Sequence, residues 1–230
     1  PGGGGGGGRA PAPLAVLFDE PFSALDQNLR QNLRREIKEL QRRTGFTAVF
    51  VTHSREEAFA LADRMLIMGT GRVEQIGRPE ELYRRPVSAY VADFLGEMNR
   101  LPARVDPGAG RISLGGASLA LPHDIQWPAG EGYLLLRPED ASLCEEPRPD
   151  ALPVTVIARQ FGGPTVRFLV EGDGWTASVL HLSNASPAVG PGEAAWLQPA
   201  LRQGSFMAAG RNAEGISGDC RELPHRSPVG

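Results

Sequence analysis

The chain has 230 residues, 41% of them hydrophobic and 22% charged, with a net charge of -3. That length holds one or two domains of about 100–200 residues and enough apolar mass for a sizeable core. The balance lacks the broadly basic face of a nucleic-acid binder, and no apolar run approaches the roughly 18 residues that span a bilayer.

Pro1 and the run Gly2–Gly8 open the chain without a basic or an apolar signal-peptide region. Residues 1–13 cannot bury anything and are expected to be disordered. The apolar stretch Leu14–Phe18 then stops abruptly at Asp19-Glu20, the pattern of a buried strand in a parallel sheet. Leu25, Leu29, Leu33, Ile37 and Leu40 recur at helical spacing, with Asp26 placed as N-cap and Gly45 as stop. The opposite face carries Arg30, Arg34, Arg35, Glu36, Lys38, Glu39, Arg42 and Arg43 and reads as solvated surface. Thr47–Val51 is β-branched and apolar, a second buried strand ending at Thr52-His53. Ser54 with Glu57 three residues on fits a capping box opening a helix through Ala62. Met65–Met68 and Arg72–Ile76 flank Gly69-Thr70-Gly71 as a hairpin, and Pro79–Tyr83 and Ser88–Leu95 read as short helices.

After Asn99 the helical periodicity vanishes. Short apolar stretches (111–114, 133–136, 154–158, 165–170, 176–180 and 194–197) alternate with Gly and Pro turns. That is the pattern of a small all-β barrel or sandwich. The expected organisation is therefore a disordered segment 1–13, an α/β unit 14–98, a β-domain 99–206 and an unpatterned, disordered tail 207–230, with the main boundary near residues 97–101. Cys144 and Cys220 stand far apart and outside any C-x-x-C spacing, so both are expected as free thiols in a reducing compartment.

Asp19-Glu20 carries the strongest chemical signal. Two carboxylates at the tip of a buried strand are costly unless paired, coordinated or protonated, and the carboxyl ends of strands in open α/β sheets are where ligands bind. One such acid can hold Mg²⁺, and its neighbour can polarise a water for attack on phosphorus. Taken as a dipeptide, the same two acids are equally readable as turn and helix-entry residues.

The longer string Leu17-Phe18-Asp19-Glu20-Pro21, followed by Ser23-Ala24-Leu25-Asp26, resembles the Walker B strand and D-loop of ABC transporter ATPases. Val51-Thr52-His53 is similar to the switch (H-loop) histidine of that family, and Ser54–Ala58, Ala62-Asp63-Arg64, Gly71–Gly77 and Pro79–Tyr83 match its usual continuation. Leu136-Arg137-Pro138-Glu139 and the junction Phe94–Asn99 resemble the TOBE domain appended to some importer ATPases. The resemblance covers roughly residues 9–205 and implies the C-terminal part of a P-loop-type α/β ATPase domain followed by a TOBE/OB-like all-β domain.

By that resemblance the cofactors are ATP and Mg²⁺. Asp19 supports the metal, Glu20 is the general base, and His53 contacts the γ-phosphate. Ser23, Ala24 and Asp26 form the loop that meets a second ATPase subunit. The implied partners are transmembrane permease subunits, a second copy of the ATPase and, indirectly, a periplasmic or surface substrate-binding protein, at the cytoplasmic face of the plasma membrane. The relatives so implied serve polyamine, ferric iron, sulfate or sugar uptake. No G-x-x-x-x-G-K-[ST] segment occurs: Lys38, the one lysine, lies in an Arg/Glu-rich helix. The L-S-G-G-Q signature and Q-loop are absent too, so the chain reads as N-terminally truncated and inactive in ATP hydrolysis by itself. Two competing readings remain. In one, the β-domain senses a small molecule and the α/β part is a non-catalytic remnant. In the other, the β-barrel binds nucleic acid, which its few aromatics and lack of a basic run disfavour. His123, His181 and His225 have no comparable context and read as surface or structural residues.

Overall fold

The computed structural model describes residues 15–23 and 25–209. The chain divides into two compact units between Glu80 and Glu81. Expectations for residues 1–13, Leu14, Ala24, the tail after Ala209, Cys220 and His225 lie outside the described residues.

In the first unit, β1 (Ala15–Asp19) runs into α1 (Gln27–Thr44) and returns as β2 (Thr47–Val51), which pairs with β1 in parallel from Ala15↔Thr47 to Asp19↔Val51. Asp26 caps α1 by accepting from the Leu29 amide at 2.9 Å. Gly45, at φ 73°, ends the helix in the left-handed conformation that only glycine adopts cheaply, its amide bonding the Gln41 carbonyl. α2 (Arg55–Leu61) starts at Ser54, and β3 (Met65–Gly69) and β4 (Arg72–Gly77) form an antiparallel hairpin. Its two-residue turn has Thr70 at φ 46° and Gly71 at φ 79°. Positive φ at both turn positions matches the twist of a tight hairpin.

The strands expected to be buried are not. β1 and β2 alternate between exposed and half-buried residues, and Leu17, Val49 and Val51 leave 69%, 47% and 50% of their surface open. Burying a parallel strand on both faces needs a layer on each side. Here only one face is filled: Phe18 stacks on Phe50 at 4.6 Å, Phe22 follows, and Arg34 of α1 lies over the Phe22 ring.

In the second unit, the last turn of α3 (Pro79–Arg84) and α4 (Ala89–Leu95) precede ten strands. These are β5 (Asn99–Asp106), β6 (Arg111–Leu114), β7 (Ala117–Ala120), β8 (Gly130–Leu136), β9 (Ala141–Cys144), β10 (Leu152–Phe161), β11 (Thr165–Gly172), β12 (Trp175–Leu182), β13 (Ala194–Pro199) and β14 (Ser205–Ala208). They form two five-stranded antiparallel sheets, ordered β12-β11-β10-β13-β9 and β14-β8-β5-β6-β7. One apolar core lies between them, with Leu101, Ile112, Leu134, Phe168, Val179 and Leu197 fully enclosed. β14 extends one residue past Met207, where the unpatterned tail was expected to begin.

Side chains close the free edge of β12. Buried Asn99 presents its amide as a strand would, donating to the Ser178 carbonyl at 2.8 Å and accepting from the Ser178 amide at 2.7 Å. His181 accepts from the Leu143 amide of β9 at 3.0 Å, so the two outer strands of one sheet are joined through an imidazole. Burial pushes the His181 pKa down, which keeps the ring in the neutral form able to accept.

Arg137 ties the helices to the β-domain. Its buried guanidinium donates to the carbonyls of Ala92, Glu97 and Tyr83 and lies 4.1 Å from the centre of the Tyr83 ring. The Tyr83 hydroxyl donates to Glu139, and burial, reinforced by that bond, pushes the phenol up to about 12. These contacts explain why the second compact unit starts within α3, at Glu81, whereas the change of sequence pattern falls at Asn99. Among the described residues, no helix is long and apolar enough to cross a membrane.

Candidate functional site

β1 and β2 end side by side because they are parallel and in register, so the residues after Asp19 and Val51 emerge at one edge. The Glu20 amide donates to the Val51 carbonyl at 2.9 Å, carrying the pairing one residue past the strand. Glu20 has φ 43°, in the left-handed region where a non-glycine residue is strained. Such strain persists only where the surroundings enforce it, and it clusters at working sites.

From that position the Glu20 carboxylate meets His53, with Nδ1 3.1 Å from Oε1. Both groups are open to solvent, the side chains being 50% and 75% exposed. The expectation of buried acids is therefore corrected: Asp19 and Glu20 sit at an exposed sheet edge, where their charges are hydrated. Asp19 closes β1, and no side chain among the described residues pairs with it. Nor do three His, Cys, Asp or Glu side chains gather as a metal cluster among the described residues.

The remaining candidates take local roles. Ser23 donates through Oγ to the Glu20 carbonyl at 3.0 Å, holding the turn that follows the acid. Asp26 spends one carboxylate oxygen on the α1 cap and makes no hydrogen bond to Glu20 or His53. His123 is exposed and takes no part in the site.

Sequence reasoning missed a buried ionic cluster behind the pair. Glu57, only 5% exposed, does not complete a capping box. Ser54 Oγ does accept from the Glu57 amide at 3.3 Å, but the Ser54 amide donates to Thr52 Oγ1 instead of to the Glu57 carboxylate. That carboxylate accepts from Thr52 Oγ1 at 2.6 Å and pairs with Arg34 Nη2 at 3.1 Å, with Arg30 Nε 4.0 Å away. Arg30 also donates to the Leu25 carbonyl at 2.9 Å. Arg30 and Arg34, read as solvated surface, lie four residues apart and so share one helix face. That spacing was the available signal.

The TOBE domain family model matches residues 134–207. The chain is 41% identical over 195 residues to a sulfate/thiosulfate import ATP-binding protein, CysA 2, of Chromobacterium violaceum, covering 80% of this chain and 52% of that protein. It is 42% identical over 177 residues to the spermidine/putrescine import ATP-binding protein PotA of Pseudomonas fluorescens, covering 74% and 47%. It is 46% identical over 130 residues to the Fe(3+) ions import ATP-binding protein FbpC 2 of Rhizobium meliloti, covering 56% and 32%. Among solved structures, the molybdate-bound cytoplasmic molybdate-binding protein ModG aligns at TM-score 0.36 and 14% identity, over 54% of this chain and 99% of that one. The chain spans about half the length of CysA 2 and PotA. It is a homologue of the ATP-binding subunits of ABC importers and carries a TOBE domain in its C-terminal half.

Proposed function

We propose that this chain supplies the metal- and base-bearing edge of an ATP-hydrolysing subunit that powers an ABC importer. The observation that carries the reading is the meeting of Glu20 and His53 at 3.1 Å beyond two neighbouring parallel strands, with Glu20 held at positive φ. The carboxyl ends of parallel strands are where nucleotide phosphates bind in α/β proteins.

Glu20 acts as general base: its carboxylate takes a proton from the water that attacks phosphorus. His53 donates Nδ1–H to the Glu20 carboxylate, which sets the imidazole beside the base. The other ring nitrogen, Nε2, is the one available to the terminal phosphate. Asp19, an exposed carboxylate at the strand end, fits a hard cation that takes one or two carboxylates together with water and phosphate oxygens. Mg²⁺ held there by Asp19 would neutralise phosphate charge. Ser23 and Asp26 belong to the loop facing a second copy of the subunit. The subunit sits on permease subunits at the cytoplasmic face of the membrane and, through them, serves a periplasmic or surface substrate-binding protein.

The 230 residues contain no G-x-x-x-x-G-K-[ST] phosphate cradle, so turnover is expected only when one is supplied. The open apolar face of Leu17, Val49 and Val51 fits the same reading, being the face a second layer of helices would cover in a larger α/β domain. The test joins this chain to the part of a PotA relative that it does not match and measures phosphate release. Glu20→Gln is expected to lower kcat by about 10²-fold or more, the range of a lost general base. Unchanged turnover defeats the assignment.

A further inference from the structure

Phe22 lies two residues after the base. Its fully buried ring faces the Arg34 guanidinium, with Cζ 5.6 Å from the ring centre. Arg34 also pairs with Glu57 at 3.1 Å, and Glu57 accepts the Thr52 hydroxyl at 2.6 Å, one residue before His53. A single guanidinium thus touches both arms that carry the Glu20–His53 pair. Arg30, one helical turn earlier, holds the Leu25 carbonyl at 2.9 Å and lies 4.0 Å from the same Glu57 oxygen, which brings in the loop that leads to Asp26.

The two ends of this arrangement differ sharply in burial. Glu20 and His53 are exposed side chains with one hydrogen bond between them. An exposed pair of that kind is worth little by itself, because solvent screening and side-chain freedom offset most of the attraction. Something else must hold its geometry. Glu57 is buried, takes one neutral and one charged donor at close range, and cannot lose either without leaving an unmatched carboxylate in the interior. The Thr52 hydroxyl donates to Glu57 and accepts from the Ser54 amide at 3.0 Å, so the backbone on both sides of His53 is pinned to the buried charge.

We infer that Glu57 and Arg34, through Thr52, are the positioning residues that set His53 against Glu20 and couple it to the loop carrying Asp26. This assignment rests on the proposed function of the pair. Neither residue touches nucleotide, and neither is a catalytic residue.

The test is imidazole nitrogen NMR on the full 230-residue chain without nucleotide. In the wild type, Glu20→Gln is expected to shift the His53 Nδ1 resonance, because the acceptor loses its charge. In Glu57→Gln and Thr52→Val backgrounds that Glu20-dependent shift is expected to vanish while the β1–β2 ladder signals persist; Thr52→Ser, which keeps the hydroxyl, retains it. A merely structural role would lower stability and leave the shift in place. If Glu57→Gln unfolds the unit, Thr52→Val decides, since it removes one hydroxyl and spares the Arg34–Glu57 pair. Survival of the shift in Thr52→Val with an intact ladder overturns the inference, as does a wild-type His53 signal indifferent to Glu20. Failure of the ATPase reading shows up elsewhere, as phosphate release insensitive to Glu20→Gln, so the two can fail separately.

Discussion

The two units solve the burial problem to very different degrees. Of the buried apolar residues among those described, only Phe22, Met65 and Ile67 precede residue 81, and α1 buries no residue completely. The β unit, by contrast, encloses Phe168, Leu134, Leu197 and many others between two sheets. The free edge of β12 is closed by Asn99 and His181. A sheet pair that shares one core needs nothing further, whereas two parallel strands with helices on one side leave half their apolar surface in water. The candidate chemistry sits on the less complete unit, at its exposed rim.

Mutations on the two sides of this contrast should behave unequally. Phe168→Ala in the enclosed core is expected to cost about 3–5 kcal/mol, the range for emptying a buried aromatic site. Urea unfolding followed by tryptophan fluorescence reads it cleanly, because Trp127, Trp175 and Trp196, the three tryptophans of the chain, all lie in the β unit. A loss below that range would mean the core between the two sheets is less tightly packed than its burial implies. Next in size is Asn99→Ala, expected to cost about 1–3 kcal/mol because it strands a buried donor and acceptor on Ser178. A near-zero effect would show that water replaces the amide at the seam.

A smaller effect follows from His181. Its folded pKa lies below the ordinary 6.5, so the unfolded chain binds the proton first as pH falls. The stabilisation from the neutral ring is complete above pH 6.5 and declines as pH drops toward the folded value. Urea midpoints between pH 8 and pH 5 are expected to fall on the acid side, and His181→Gln, whose amide oxygen can still accept from Leu143, is expected to flatten that slope. Smallest of all is Leu17→Ser on the open face of β1, expected to change stability by no more than about 0.5 kcal/mol. A large loss there would show that the face is covered in the isolated chain, and the contrast between the units would narrow.

Local chemistry was legible from the residues. Asp26 and Gly45 mark the ends of α1, Thr70-Gly71 marks a tight turn, and Thr47–Val51 has the bounds read for it. β5, β7, β9 and β14 were missed. They are short or broken by polar residues such as Asn99, Arg100 and Arg104; β5, β9 and β14 take partners far along the chain, and β7 is a four-residue edge strand beside β6. The site divides in the same way. Asp19, Glu20 and His53 are visible in the string, whereas Glu57 passed for a cap residue and Arg34 for surface.

Residue order alone was enough for the two ends of α1, the Thr70-Gly71 turn, the bounds of Thr47–Val51 and the acids at the end of β1, because each depends on neighbours within a few positions. Which apolar faces find cover, which edge an asparagine and a histidine close, and which carboxylate leaves the solvent were settled only when distant segments met. Burial and ion pairing are properties of surroundings, and a residue's surroundings are assembled by the whole fold.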